Sequence, residues 1–378
     1  YKERLIMSLF ENVKKNFGLG CMRLPMDGDK VDYAEFTRMV DRFMAEGFNY
    51  FDTARVYIDG QSETALRDCL VKRYPRESFL LVDKLSTSLF NSEEEIRPLF
   101  EKQLAACGVE YFDLYLLHSQ TKDIFEKYKK CYAYETAFAL RDEGKVKHVG
   151  LSFHDKAEVL DEILTTYPQV EAVQIQLNYL DFDDPAVQSR KCYEVCRKHG
   201  KPVIVMEPVK GGTLVNLPAD AKKILTDLHG GSPASYAIRF AAGFEGIFMV
   251  LSGMSNMEQL NDNLSYMKDF KPLDETEKEA VNRVCSVIRS MHLIPCTACR
   301  YCIDGCPKHI NIPNLFSCLN AQQFHHDWNA SHYYAVHTAN GGKASDCIGC
   351  GKCEKACPQH LRIRELLKTV VKEFEKQQ

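Results

Sequence analysis

The sequence predicts an α/β protein, a (β/α)8 TIM barrel followed by a small, mostly helical, cysteine-rich domain. Three observations carry the prediction. Strand-like and helix-like segments alternate eight times before residue 290. The length of 378 residues fits one barrel of about 250 residues plus an appendage. Half of the sixteen cysteines fall into two short runs after residue 295.

The strands are read first. Apolar runs at 17–22 (FGLGCM), 48–53 (FNYFDT), 79–84 (FLLVDK), 112–118 (FDLYLLH), 147–153 (KHVGLSF), 172–178 (AVQIQLN), 202–208 (PVIVMEP) and 247–253 (IFMVLSG) make eight. They are nearly continuous in hydrophobicity, as strands buried on both faces should be. Tyr33–Glu46, Glu93–Ala106 and Pro185–His199 have helical period between them. A doubly wound sheet is the alternative, but no GxGxxG follows the first strand. Residues 271–290 form a charged amphipathic helix, expected to pack on the barrel and lead into the second domain. The expected division is a barrel over 1–290 and a cysteine-rich domain over 291–378.

The cysteine spacing is the strongest chemical signal. Cys296, Cys299, Cys302 and Cys306-Pro307 form one C-x2-C-x2-C-x3-C-P run, and Cys347, Cys350, Cys353 and Cys357-Pro358 repeat it. Three cysteines two residues apart wrap one [4Fe–4S] cubane, and the fourth ligates the other cluster. The ligand sets are thus Cys296, Cys299, Cys302 and Cys357 for the first cluster, and Cys347, Cys350, Cys353 and Cys306 for the second. Zinc prefers paired CxxC motifs, and disulfides suit small secreted domains. The runs resemble the bacterial-type ferredoxin motif. The long spacer between them and the helical period of 312–324 and 361–376 point to a helical two-cluster form. His325, His326 and His332 lie in that spacer and are not needed as ligands, since eight cysteines fill two cubanes. Cys21, Cys69, Cys107, Cys131, Cys192, Cys196, Cys285 and Cys318 are read as small apolar residues. So many thiols suggest a reducing cytoplasm, and the N-terminus lacks a signal-peptide order.

Barrel chemistry sits at the C-terminal ends of the strands. There the second strand supplies Asp52, with Tyr57 just beyond, the third Lys84 and the fourth His118. A tyrosine hydroxyl has a pKa near 10, which an adjacent ammonium is expected to lower. Asp52 would keep that ammonium charged, and His118 would position a carbonyl oxygen or relay the proton. The set suits carbonyl reduction, with hydride arriving on carbon while Tyr57 protonates oxygen.

FDTARVY, LVDK and LYLLH together resemble the aldo/keto reductase family over residues 16–270, and the whole chain resembles the branch with a C-terminal ferredoxin-like domain. The resemblance implies that Asp52, Tyr57, Lys84 and His118 are the catalytic tetrad. It also implies a nicotinamide dinucleotide lying across the barrel top. Its contacts would come from Cys21, Met22 and Arg23 after the first strand, Asp52, Ser152, Gln174, Met206, Glu207, Pro208, Gly211, Gly212 and Leu214. Gly253, Ser255, Asn256, Glu258, Gln259 and Asn263 would follow on the phosphate and adenine side. The sequence departs from the family pattern at Phe153, where an Asn is usual, and at Met206, where an aromatic ring is usual. The basic residues that grip a 2′-phosphate are replaced by Ser255 and Asn256. NADH is therefore expected to serve at least as well as NADPH, unless Lys210 or Lys268 supplies the missing charge.

Hydride transfer moves two electrons and a cubane moves one. A flavin normally mediates, and the sequence carries no flavin motif. The expected function is NAD(P)H-dependent carbonyl reduction or alcohol oxidation, with two [4Fe–4S] clusters for electron transfer and a ferredoxin-like partner. The alternatives are an ordinary reductase with structural clusters, and a dinucleotide-binding electron-transfer or regulatory protein without turnover. Lys plus Arg is 48 against 52 for Asp plus Glu, a net charge of −4, which argues against nucleic-acid binding. No apolar run approaches the ~18 residues needed to cross a membrane. Asp181, Asp183 and Asp184 are read as acids at a helix start near Pro185, not as a metal loop.

Overall fold

The computed structural model describes residues 13–375, apart from 185–186, 292, 326–329 and 340. Eight parallel strands close into a barrel: β1 Phe17–Gly20, β2 Tyr50–Asp52, β3 Leu80–Leu85, β4 Phe112–Gln120, β5 Val146–Phe153, β6 Ala172–Gln176, β7 Val203–Met206 and β8 Ile247–Ser252. Each pairs with its sequence neighbours, and β1 closes the ring against β8. All eight expected strands are present, each within or close to its apolar run.

Burial explains why continuous apolar runs become strands here. Every residue of β3 is buried, Asp83 and Lys84 included. The barrel interior is packed by Tyr50, Leu80, Val82, Leu116, Ile204 and Met249, among others. The parallel register sets Asp52 beside Val82, Lys84 beside Leu116 and Ser152 beside Gln174. The polar residues of β2, β3 and β5 thus gather at one end.

The helices follow their sequence signals closely. Tyr33–Ala45 starts at Asp32, whose side chain accepts from the Glu35 N–H at 2.9 Å. Ile96–Cys107 follows a 3-10 turn at Glu93–Glu95 and stops at Gly108 with φ +71°. The helix expected from Pro185 runs over Ser189–Lys198; residues 185–186 lie outside the described chain. Asp181 and Asp183 are therefore not first-turn residues. Asp181 accepts from Gln176 and Asn178, and Asp183 pairs with Arg190.

Two compact units divide the chain. One takes the residues up to Asp184, Gln188–Pro208 and Ala234–Asp274, and the other takes Val209–Pro233 and the chain from Glu275 onward. This division differs from a simple cut at 290. Helix Glu275–Ser290 packs on helix Ala219–Thr226, and both fall in the second unit. Beyond it, helices Ile312–His325, Ala330–Thr338 and Ile363–Phe374 surround a core that includes Ile310, Leu315, Phe316, Leu319, Ile363, Leu367 and Val370. His326 and the side chains of His325 and His332 lie outside the described residues. Among the described residues no helix is long and apolar enough to cross a membrane.

Candidate active site and cluster sites

The tetrad residues converge at the end of the barrel where β2, β3 and β4 finish. The Lys84 ammonium donates to Asp52 Oδ1 at 2.6 Å and to the Thr53 carbonyl at 2.7 Å, almost wholly buried. It lies 4.7 Å from the centre of the Tyr57 ring. Tyr57 opens a tight turn in which Ile58 and Asp59 have φ of +50° and +52°. β-branched Ile58 in that conformation is strained, a cost tolerated where a site fixes the backbone. His118 meets Tyr57 edge to face, with ring centres 6.0 Å apart. Its Nδ1 lies 2.6 Å from the Ser86 hydroxyl. The register of β4 against β5 shifts after Leu117, and Ser119 takes φ +55°. Such a bulge re-aims a side chain at a barrel rim. The Ser119 N–H then donates to Ser152 Oγ at 2.7 Å.

The electrostatics differ from the sequence expectation at one point. Burial pushes the Tyr57 hydroxyl well above its usual value, and the Asp52 charge adds to the rise while Arg23 opposes it. The Lys84 ammonium, bonded to Asp52 and the Thr53 carbonyl, sits over the ring, and burial outweighs it. Tyr57 is thus a neutral phenol, ready to give a proton. Burial, then the Lys84 charge, hold His118 well below the usual histidine range, so its imidazole is neutral. Burial raises the Asp52 carboxyl, with Lys84 opposing.

A second layer holds β3 from behind and was not read from the sequence. Gln103 donates to the Lys84 carbonyl at 3.0 Å and accepts from the Tyr115 hydroxyl at 2.6 Å. Asp83, Glu63 and Cys107 cluster there, buried, with Arg55 paired to Glu63 at 2.6 Å. Burial and the Glu63 charge push Asp83 well up, so this carboxyl pair retains a proton. The hint in the sequence was Arg55, a cation beside the tetrad motif.

The expected dinucleotide residues are placed as follows. Ser152 and Gln174 are buried side by side, and Gln174 Oε1 has no hydrogen-bond partner among the described residues. A lone buried amide acceptor fits a carboxamide ligand, because leaving it unpaired is costly. Phe153 is buried beside them, and Met206 ends β7. Cys21 is buried, with its N–H bonded to the Asp52 carbonyl, and Arg23 lies 3.6 Å from Glu207. Past β8, Ser255 donates its N–H to Gln259, its hydroxyl bonds the Arg23 carbonyl, and Asn256 caps helix Met257–Met267. Asn263 joins Ser252 and the Gln259 carbonyl, and Glu258 stays exposed. Lys268 is exposed at the far end of this helix, about 16 Å away. Lys210 is buried, with Nζ bonded to Gln359. Gly211 is committed to packing, since a Cβ there would stand 2.2 Å from the Thr297 carbonyl oxygen. Gly212 and Leu214 continue the same turn, Leu214 buried.

The cysteines gather as the crossed sets require. Cys296, Cys299, Cys302 and Cys357 line one hollow. Cys306, Cys347, Cys350 and Cys353 line another. The Ala298 N–H already donates to Cys296 Sγ at 3.5 Å. Four sulfurs around each hollow fit a cubane.

Family models match twice. The aldo/keto reductase family matches residues 16–285, and the 4Fe-4S dicluster domain matches residues 295–362. An aldo-keto reductase of Mycolicibacterium smegmatis is 26% identical over 230 residues, covering 59% of this chain and 74% of its own. An NAD(P)H-dependent D-xylose reductase of Aspergillus niger is 26% identical over 257 residues, covering 58% of this chain and 76% of its own. Among solved structures, an aldo-keto reductase from Bacillus halodurans superposes with a TM-score of 0.58 at 23% identity, covering 71% of this chain and 91% of its own. One from Klebsiella pneumoniae, in complex with NADPH, gives 0.56 at 18%, covering 72% and 94%. These likenesses support the fold, and the family match spans most of the chain. The protein is an oxidoreductase of the aldo/keto reductase family that also carries a 4Fe-4S dicluster domain.

Proposed function

We propose that the barrel reduces an aldehyde or ketone with NAD(P)H, and that two [4Fe–4S] clusters in the second unit carry single electrons to or from a one-electron partner. One observation carries the first half: a neutral, buried Tyr57 beside a buried Lys84–Asp52 ion pair and a neutral His118. Reduced nicotinamide, when bound, supplies the hydride. Tyr57 gives its proton to the carbonyl oxygen as charge develops there. His118, held by Ser86, offers an uncharged imidazole to orient that oxygen. The Lys84 ammonium offsets the phenolate left behind, and a proton from solvent restores the phenol. Ser152 and Gln174 hold the carboxamide. Because Ser255 and Asn256 are engaged in capping and bring no positive charge, NADH serves at least as well as NADPH. Cys296, Cys299, Cys302 and Cys357 hold one cluster, and Cys347, Cys350, Cys353 and Cys306 hold the other.

The test is an anaerobic screen of the iron-replete protein with NADH and NADPH against a panel of aldehydes and ketones. The expected result is one nicotinamide oxidised per carbonyl reduced. Tight dinucleotide binding with no turnover on any carbonyl would favour a binding protein instead. A tenfold or greater NADPH preference in kcat/KM would contradict the coenzyme assignment.

A further inference from the structure

The two cysteine runs are built alike and housed differently. Ala298 and Gly349 occupy matching positions, as do Arg300 and Gly351, and His309 and His360; all six have positive φ, from +51° to +74°. Their surroundings diverge at two further matched pairs. Thr297 is 2% exposed where its counterpart Ile348 is 61% exposed. Gln359 is buried where its counterpart Lys308 is exposed.

The segment after β7 makes the difference. Lys210 is fully buried, with φ +49°, and its Nζ donates to Gln359 Oε1 at 2.7 Å. Gly211, with φ +61°, lies so close to the Thr297 carbonyl that no larger residue fits. Thr297 sits between Cys296 and Cys299, and Gln359 is two residues past Cys357. The segment therefore touches a residue inside the local run and one two residues past the crossed cysteine. The Lys210 charge lies within electrostatic reach of Cys357.

We propose that Lys210 is a redox-tuning residue whose buried ammonium raises the reduction potential of the cluster held by Cys296, Cys299, Cys302 and Cys357. The proposal rests on the reading that the eight cysteines hold two clusters. In the step concerned, the oxidised cluster takes one electron from a one-electron donor; no bond forms or breaks, and the site gains one negative charge. Attraction to a buried cation strengthens with that charge, in surroundings that screen it poorly. Lys308, on the other run, is exposed, so water and salt screen it.

The experiment is an EPR-monitored dithionite titration of the iron-replete protein. Cys299→Ser identifies which signal belongs to the first cluster. Lys210→Met should lower that cluster's reduction equilibrium at least tenfold, about 59 mV for a one-electron couple, and leave the other in place. Lys210→Arg should keep the wild-type value, and Lys308→Met should move neither. An iron-replete Lys210→Met with both potentials unchanged, or both moved equally, would overturn the proposal. If Lys210→Met loses iron from the first site alone and Lys210→Arg restores it, the cation's place there stands. Iron loss in both variants would reduce the segment to a packing role and overturn the tuning. A wild-type chain binding less iron than two clusters need would sink the underlying reading instead, and iron analysis shows this before any titration.

Discussion

The barrel rim and the cysteine-rich region solve the same problem by opposite means. At the rim, protein groups hold each other: Lys84 on Asp52 and the Thr53 carbonyl, His118 on Ser86, Ser152 on the Ser119 N–H. In the cysteine-rich region, four cysteines line each of two hollows, within the match to a 4Fe-4S dicluster domain. The rim is thus organised by contacts among its own side chains, whereas a 4Fe-4S domain is organised through its metal. The difference teaches where each part is vulnerable. A rim built from buried polar pairs fails one pair at a time, whereas a region organised by its metal fails as a whole.

Iron removal should sharpen the contrast most. Anaerobic oxidation and chelation should abolish protease resistance after residue 295 and lower the helical circular dichroism, while the barrel's thermal transition persists. A chelated protein that keeps its far region resistant would erase the distinction. Next comes Lys84→Met. It strands Asp52 in a buried site, so it should cost about 3–5 kcal/mol of stability in denaturant unfolding. Near-wild-type stability would mean that the rim is not held by this pair. Ser86→Ala removes one hydrogen bond to His118, worth about 1 kcal/mol, and should slow turnover roughly five- to tenfold without changing the fold. The smallest effect is an expected absence. With Tyr57 raised and His118 lowered, the protonation states needed for reduction hold between their ordinary values, roughly pH 6.5 and pH 10. The chemical step should therefore be flat across that window. A break near neutrality in single-turnover rates would show that one of them titrates there.

Much of this was legible in the sequence because it is written in local pattern. Strands buried on both faces read as unbroken apolar runs, and a rim residue stands out as the polar interruption at the run's end: Asp52, Lys84, His118. The cysteine runs carry their geometry in their spacing. What stayed hidden is long-range or environmental. Nothing near His118 announces Ser86, 32 residues away, and nothing near Lys210 announces Gln359, 149 residues on. The resemblance assigned Gly211 to a pyrophosphate, and nothing in it announced the Thr297 backbone that also lies against that glycine. The direction at Tyr57 reversed for a similar reason: the sequence shows the neighbouring lysine, but not the burial that outweighs it or the carbonyl and carboxylate that occupy its ammonium. Nor does the local pattern show that helix Glu275–Ser290 finds its partner in Ala219–Thr226.

The most direct test of the account is a single-turnover measurement on the iron-replete protein, comparing wild type with Tyr57→Phe. Dinucleotide affinity is measured in the same samples by nicotinamide fluorescence. Carbonyl reduction should fall by about 10²–10⁴-fold in Tyr57→Phe, the usual worth of a positioned general acid, with dinucleotide affinity unchanged. A Tyr57→Phe protein that reduces the carbonyl at the wild-type rate would contradict it.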